Sequence, residues 1–140
     1  MTLVLLAEDD PELVEKYYPD LERAGYRVLH VDNADSMLSA LRQSINDPKS
    51  GLGTIEIIVS DTILNESNGH EACKEYLGMG EQAQKTLIIG MSSASNNDKK
   101  WERIAHEFLC KVEITGLGKT VRAIHDRYLA GYITKRLKEF

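Results

Sequence analysis

Residues 2–25 read TLVLLAEDDPELVEKYYPDLERAG, and their order decides the architecture. Thr2 to Ala7 is an unbroken apolar run, the pattern of a strand buried on both faces of a helix-covered parallel sheet. Three acids, Glu8, Asp9 and Asp10, follow at once. Asp10 can cap a helix whose first position is Pro11, and Leu13, Val14, Tyr17, Leu21 and Ala24 then recur at helical spacing until Gly25 stops it. The unit is strand, acidic turn, helix. Pro19 removes a hydrogen bond inside that helix and predicts a bend over Glu15 to Pro19.

The alternation continues outward from this unit. Arg27 to Val31 reads as a second strand and Asp35 to Ile45 as a second helix, with Leu38, Leu41 and Ile45 on one face. Asn46 to Thr54 (NDPKSGLGT) is rich in turn formers and reads as a loop. Ile55 to Ser60 (IEIIVS) is a third buried strand ending at Asp61, and a loop with Asn65, Asn68 and Gly69 leads to a helix over His70 to Leu77. Thr86 to Met91 (TLIIGM) is a fourth strand, closed by Ser92 and Ser93. A short helix over Asp98 to His106 leads to a fifth strand at Phe108 to Val112, and a last helix runs from Leu117 toward Phe140. Strands and helices alternating at this spacing predict an α/β fold. It is a (βα)5, doubly wound parallel five-stranded sheet with helices on both faces and right-handed connections. One domain is expected over residues 1–140, with a core of about 2–128 and a helical extension of about 129–140.

Composition narrows the function classes. The 140 residues are 42% hydrophobic and 28% charged with three prolines, an ordinary globular balance. No apolar run is long enough to cross a membrane, and Met1 to Ala7 leads into acids where a leader would show a basic region and a cleavage site. Cys73 and Cys110 are too few for a disulfide scaffold, so a reducing, cytoplasmic setting is expected. The net charge is -5, from 17 Lys+Arg and 22 Asp+Glu. Residues 119–140 hold six of those cations and two of those acids, leaving 11 against 20 in residues 1–118. An acidic body argues against nucleic-acid binding, which relies on clustered cations.

In open parallel sheets, functional groups gather beyond the carboxyl ends of the strands. Glu8 and Asp9 follow the first expected strand, Asp61 the third and Ser92 the fourth, while Lys111 lies near the end of the fifth. Three carboxylates crowded together raise one another's pKa unless a cation sits among them. All-oxygen ligands suit a hard ion such as Mg²⁺, which takes one or two carboxylates together with waters and phosphate oxygens. Lys111 adds a point charge for a phosphate oxygen and Ser92 a hydroxyl donor. The set is suited to phosphoryl transfer, where the protein mainly positions groups and stabilises charge.

These residues resemble a known family, the CheY-like receiver domains of bacterial response regulators in two-component signalling, whose fold is flavodoxin-like. The similarity spans about Leu3 to Ile124 and rests on LLAEDDPEL, SDTILNESNG, IIGMSSAS and FLCK, in order and at strand ends. The resemblance implies that Glu8 and Asp9 bind Mg²⁺, that Asp61 is both ligand and phosphoacceptor, and that the backbone carbonyl of Ile63 is a further ligand. It implies that Ser92 is the switch hydroxyl, that Lys111 pairs with the phosphate and that Phe108 holds the aromatic switch position. Family members take a phosphoryl group from a histidine kinase or histidine phosphotransfer protein and act on a downstream protein target. They catalyse only their own phosphorylation and dephosphorylation.

Three positions depart from the family pattern. The proline usual after the lysine is Val112, so the Lys111–Val112 bond is either trans with a reshaped loop or a strained cis peptide. The proline usual four residues after the phosphoacceptor is Asn65. Phe108 lacks the hydroxyl of a tyrosine. The stretch from Ser92 to Lys111 also looks a few residues short, trimming the fourth helix. The alternative function is therefore a degenerate receiver serving as a phosphorylation-independent interaction module.

Other signals are weaker. GLGKT (Gly116 to Thr120) is similar to the end of a nucleotide-binding P-loop, but Glu113 stands where its first glycine belongs, and a helix start after a glycine turn explains it. Asn65-Glu66-Ser67 matches a glycosylation sequon by chance. His70, His106 and His125 lack partners at metal spacing and fit exposed helix positions. Tyr128, Tyr132, Ile133, Leu137 and Phe140 continue an apolar stripe along the last helix. On that pattern Tyr132 to Phe140 is expected to contact a partner or a second copy, as in a homodimer.

Overall fold

The computed structural model describes residues 1–140 apart from Ser50 and Leu52, which fall in the expected loop at 46–54 and lie outside the described residues. The elements are β1 (Leu3–Ala7), α1 (Pro11–Arg23), β2 (Arg27–Val31), α2 (Ala34–Asn46) and β3 (Ile55–Asp61). A short antiparallel pair, β4 (Ile63–Leu64) and β5 (Ser67–Asn68), leads to α3 (Gly69–Leu77) and α4 (Glu81–Lys85). Then come β6 (Leu87–Ser92), a 3-10 helix (Ser95–Trp101), β7 (Glu107–Cys110), a 3-10 turn (Lys111–Glu113) and α5 (Leu117–Leu129). The expected five-stranded sheet is present, in the order β2-β1-β3-β6-β7 with every pairing parallel.

Local chemistry explains the first unit. Asp10 caps α1, its carboxylate accepting from Glu12 N at 3.0 Å, and Pro11 opens the helix. The helix runs on through Pro19. Alternate side chains of each strand serve opposite faces. Leu3, Leu5 and Ala7 pack with Met37, Leu41 and Tyr76, whereas Val4 and Leu6 pack with Tyr17, Leu21, Val121 and Ile124. Register then places chemistry. Ala7 pairs with Val31 and Ser60, Asp61 with Met91, and Ser92 with Cys110. Glu8, Asp61, Ser92 and Lys111 therefore come off the sheet at one rim.

The C-terminal end corrects the sequence reading. The extended helix over 129–140 is absent: α5 stops at Leu129, Gly131 turns at φ +82°, and Tyr132 N donates to Arg127 O at 2.9 Å. A left-handed glycine just past a helix closes it and redirects the chain. Apolar residues at steps of three and four continued beyond the glycine, which is why the stripe misled. The tail instead straps the amino ends of β6 and β7. Ile133 is buried in the cluster formed with α1 and α5, and Leu137 packs on the cluster of the opposite face. Leu137 N donates to Ala105 O (2.8 Å), and Leu137 O accepts from Arg103 N (2.6 Å).

Arg136, 7% exposed, clamps the strap. Its guanidinium donates to Gln84 O at 3.1 Å and lies 3.0 Å from His106 Nε2. Burial, aided by the Arg136 charge, pushes the His106 imidazole down to about 4, so it is neutral at ordinary pH. His106 is thus a buried core group and not an exposed helix residue. The helix expected over Asp98 to His106 is replaced by the 3-10 helix, and the fifth strand ends at Cys110, two residues early.

A packed strap makes a quantitative demand. Ile133→Ala is expected to cost about 2–5 kcal/mol, whereas Tyr132→Ser, at a side chain 80% exposed, is expected to stay within about 0.5 kcal/mol. Urea denaturation of both variants is the check, and equal midpoints would mean that the tail carries no packing energy.

Candidate functional site

Glu8, the first residue past β1, is fully buried. Its Oε2 accepts from Asp9 N (3.0 Å) and Asp10 N (3.2 Å), so the start of the acidic turn wraps around its own carboxylate. Its Oε1 lies 2.5 Å from Lys111 Nζ, a charge contact without hydrogen-bond alignment. Lys111 Nζ also donates to Asp61 Oδ2 at 2.9 Å. Burial raises the Glu8 pKa, with Lys111 opposing. Burial also pulls Lys111 down, but the contacts with Glu8 and Asp61 outweigh it and leave the ammonium more firmly protonated.

Asp61 is partly exposed, and its Oδ1 accepts from Thr62 N at 2.9 Å. Asp9 Oδ2 accepts from Asn65 N at 2.7 Å. Oxygens of Glu8, Asp9 and Asp61 lie within 4.8 Å of one another. Three carboxylates this close, one of them with a buried oxygen left without a hydrogen-bond partner, fit a hard divalent cation. The residues present therefore suit Mg²⁺.

Each expected site residue has a definite place. Ile63 opens β4 and is about half exposed, two residues beyond Asp61. Ser92 ends β6 at 5% exposure, and its Oγ accepts from Ala94 N (3.1 Å) and Asn97 Nδ2 (2.8 Å). Phe108 lies half-buried in β7 against the core. Lys111 begins a 3-10 turn, and no described peptide bond is cis, so Lys111–Val112 is trans with Val112 exposed. Asn65 has φ +55°, a conformation that proline cannot adopt, and it uses the backbone N–H that proline lacks to bind Asp9.

Sequence reasoning missed Thr62, Asn97 and Trp101. Thr62 is fully buried, its hydroxyl donating to Met91 O and accepting from Trp101 Nε1, both at 2.8 Å. The available signal was Gly90 in the middle of a β-branched strand, since a strand glycine often marks a close approach. A Cβ there would lie 2.4 Å from the Trp101 ring. Gly69 has a similar role, because a Cβ there would collide with the backbone carbonyl oxygen of Asp61 and the hydroxyl of Ser60.

The remaining motifs resolve structurally. In GLGKT, Gly118 N donates to Asp20 Oδ2 at 2.7 Å, and a Cβ at Gly118 would lie 2.3 Å from Asp20 O. The glycine lets α5 approach α1, and an acid already caps the helix start. His125 Nδ1 lies 3.0 Å from the Tyr26 hydroxyl, and the His70 ring packs edge-on to Trp101. Among the described residues, no helix is long and apolar enough to cross a membrane.

The sheet order and the strand-end acids are those of the CheY-like receiver fold, and the resemblance to response regulator receiver domains extends to individual proteins. No family model matches the chain. Protein PilH of Pseudomonas aeruginosa is 25% identical over 127 residues, covering 89% of this chain and 98% of that protein. The response regulator receiver protein CpdR of Brucella abortus is 28% identical over 97 residues, covering 69% and 73%. Among solved structures, a response regulator receiver domain protein from Clostridium thermocellum has a TM-score of 0.72 at 14% identity, covering 96% of this chain and 100% of that one. TrrA from Thermotoga maritima, crystallised in complex with Mg²⁺ and BeF, has a TM-score of 0.71 at 16% identity, covering 90% and 98%.

The Lys111 contacts carry a pH-dependent consequence. Lys111→Met leaves Glu8 buried without its cation, and breaking a buried pair costs about 3–5 kcal/mol. Its carboxyl then titrates still further above the unfolded value, so the native state binds a proton that the unfolded state does not. Stability is retained below the unfolded pKa and lost as pH rises. The deficit against wild type is therefore expected to widen from about pH 5 to about pH 8. Denaturant midpoints at both values check this, and a pH-independent deficit would contradict it.

Proposed function

We propose that the chain is a response regulator receiver domain in which Asp61 accepts a phosphoryl group, with Mg²⁺, from a histidine kinase or histidine phosphotransfer protein in the cytoplasm. The observation carrying this reading is the convergence of Glu8, Asp9 and Asp61 within 4.8 Å, with Lys111 Nζ against Asp61 Oδ2. A carboxylate oxygen of Asp61 attacks the phosphorus of a phosphohistidine. The P–N bond breaks, its electron pair leaves on the imidazole nitrogen, and that nitrogen takes up a proton. The ammonium of Lys111 is placed to follow the charge on the transferring oxygens. Glu8, Asp9, Asp61 and the backbone carbonyl of Ile63 would hold Mg²⁺, which would supply positive charge against the phosphoryl group when bound.

The product is the protein's own aspartyl phosphate, and hydrolysis resets it, so no separate substrate is turned over. Ser92 and Phe108 are the groups that register the change and alter a surface for a downstream protein target. TrrA in complex with Mg²⁺ and BeF supports the metal assignment by likeness of fold. The second reading, a phosphorylation-independent interaction module, draws on the Ser92 hydroxyl, which is engaged by Ala94 and Asn97 and turned to local use.

Intact-mass spectrometry after incubation with acetyl phosphate separates the two readings. One added phosphoryl group is expected in wild type, only with Mg²⁺, and none in Asp61→Asn. No addition to wild type where calorimetry shows Mg²⁺ bound would leave the interaction module standing.

A further inference from the structure

The 3-10 helix Ser95–Trp101 is tied to the site at both ends. At its front, Asn97 Nδ2 donates to Ser92 Oγ at 2.8 Å. At its rear, Trp101 Nε1 donates to Thr62 Oγ1 at 2.8 Å, while Thr62 N donates to Asp61 Oδ1 at 2.9 Å. Two hydrogen bonds through one threonine thus join the carboxylate of Asp61 to a fully buried indole. We infer that Thr62 and Trp101 are positioning residues that pass the phosphorylation state of Asp61 to the segment Ser95–Trp101. The inference rests on the function proposed above.

The surroundings make Trp101 suited to this. Its ring lies on Gly90, where a Cβ would come within 2.4 Å, and His70 packs edge-on at 6.0 Å between ring centroids. A large ring held in a tight slot moves as a unit with the backbone that carries it. A buried indole N–H requires an acceptor, and Thr62 Oγ1 supplies it. Thr62 has little freedom of its own, because its N–H and its hydroxyl also donate to Met91 O, at 3.0 and 2.8 Å. Met91 directly precedes Ser92, so the front and rear tethers meet at one strand end.

Phosphorylation alters the first link. Converting the Asp61 carboxylate to an acyl phosphate replaces a charged acceptor with a carbonyl oxygen that accepts more weakly. The Thr62 N–H then favours Met91 O, and the hydroxyl that holds the indole shifts with it. If Ser92 Oγ turns toward the phosphoryl group, Asn97 loses its acceptor as well. Both tethers of the segment then change together, with no tyrosine hydroxyl needed at position 108.

Trp101 is the one tryptophan of the chain, so its emission reads the link without a label. Emission spectra and intact mass are taken on the same samples, with Mg²⁺ and acetyl phosphate, for wild type, Thr62→Ser and Thr62→Val. The expected result is an emission shift that scales with the phosphorylated fraction in wild type, persists in Thr62→Ser, and is mostly lost per phosphorylated molecule in Thr62→Val. A wild-type protein that gains the phosphoryl group with unchanged emission and unchanged amide exchange over residues 95–101 would overturn the inference while the phosphoacceptor reading stands. That result decides the matter even if Thr62→Val does not fold. A full wild-type shift in Thr62→Val would also overturn it. No added phosphoryl group in wild type removes the parent reading and this inference with it, an outcome that the mass spectrum distinguishes from a silent indole.

Discussion

Lys111 lies between Glu8 and Asp61 at the carboxyl end of the sheet, and the buried charge there sets conditions for everything around it. Glu8 is fully buried, a position where an isolated carboxylate would shed its charge by taking a proton. Two amides of the acidic turn and one ammonium oppose that shift without cancelling it. That arrangement depends on register. Glu8 and Lys111 are 103 positions apart in sequence, yet parallel pairing through β3 and β6 brings both to the same rim. A one-residue slip in any of these strands would turn the pair to opposite faces.

The helices approach that rim through glycines. Gly69 lets the start of α3 sit on the Asp61 carbonyl, and Gly90 opens the slot for Trp101. These contacts substitute for bulk, since the segment between β6 and β7 forms only a 3-10 helix and covers less of the sheet than a full helix would. The C-terminal strap makes up part of the difference. Leu137 joins the cluster that holds Trp101, Ile104 and Ala105, and the Arg136 guanidinium satisfies the Gln84 carbonyl beneath it. Cover lost within the segment is thus restored by chain from another part of the sequence.

The five strands, the strand-end acids and the helix starts were legible because each has a local cause: an apolar run of the right length, an acid before a proline, a glycine after a periodic stretch. Asp10 as the α1 cap and Gly25 as its stop could be read from those residues alone. The tail could not, because Ile133 and Leu137 keep helical spacing while Gly131 breaks the helix, and periodicity cannot say which neighbour buries a side chain. Spacing placed Glu8, Asp9, Asp61 and Lys111 near one another. It could not reveal that Lys111 contacts two of them, that Ser92 Oγ is held by Asn97, or that Thr62 bonds Trp101. Those are tertiary contacts between segments whose sequences carry no mark of each other, apart from a glycine in a strand that had no other reason to be there.

The departures at Asn65, Phe108 and Val112 bear on whether the site is decaying or differently built. A decaying position strands the donors and acceptors of the loop that carries it. Here Asn65 adopts a left-handed turn closed to proline, its amide binds Asp9, and its side chain donates to Asp32 O at 2.9 Å. Val112 is exposed in a trans turn, and Lys111 still reaches both acids. Phe108 lacks a hydroxyl, but a hydrogen-bonded aromatic ring stands nearby in Trp101, joined to the residue next to Asp61. At Asn65 the backbone N–H that proline lacks is used on Asp9, and at Val112 the trans turn leaves both Lys111 contacts in place, so these two departures reshape the loops around the acids without removing a contact of the acids themselves.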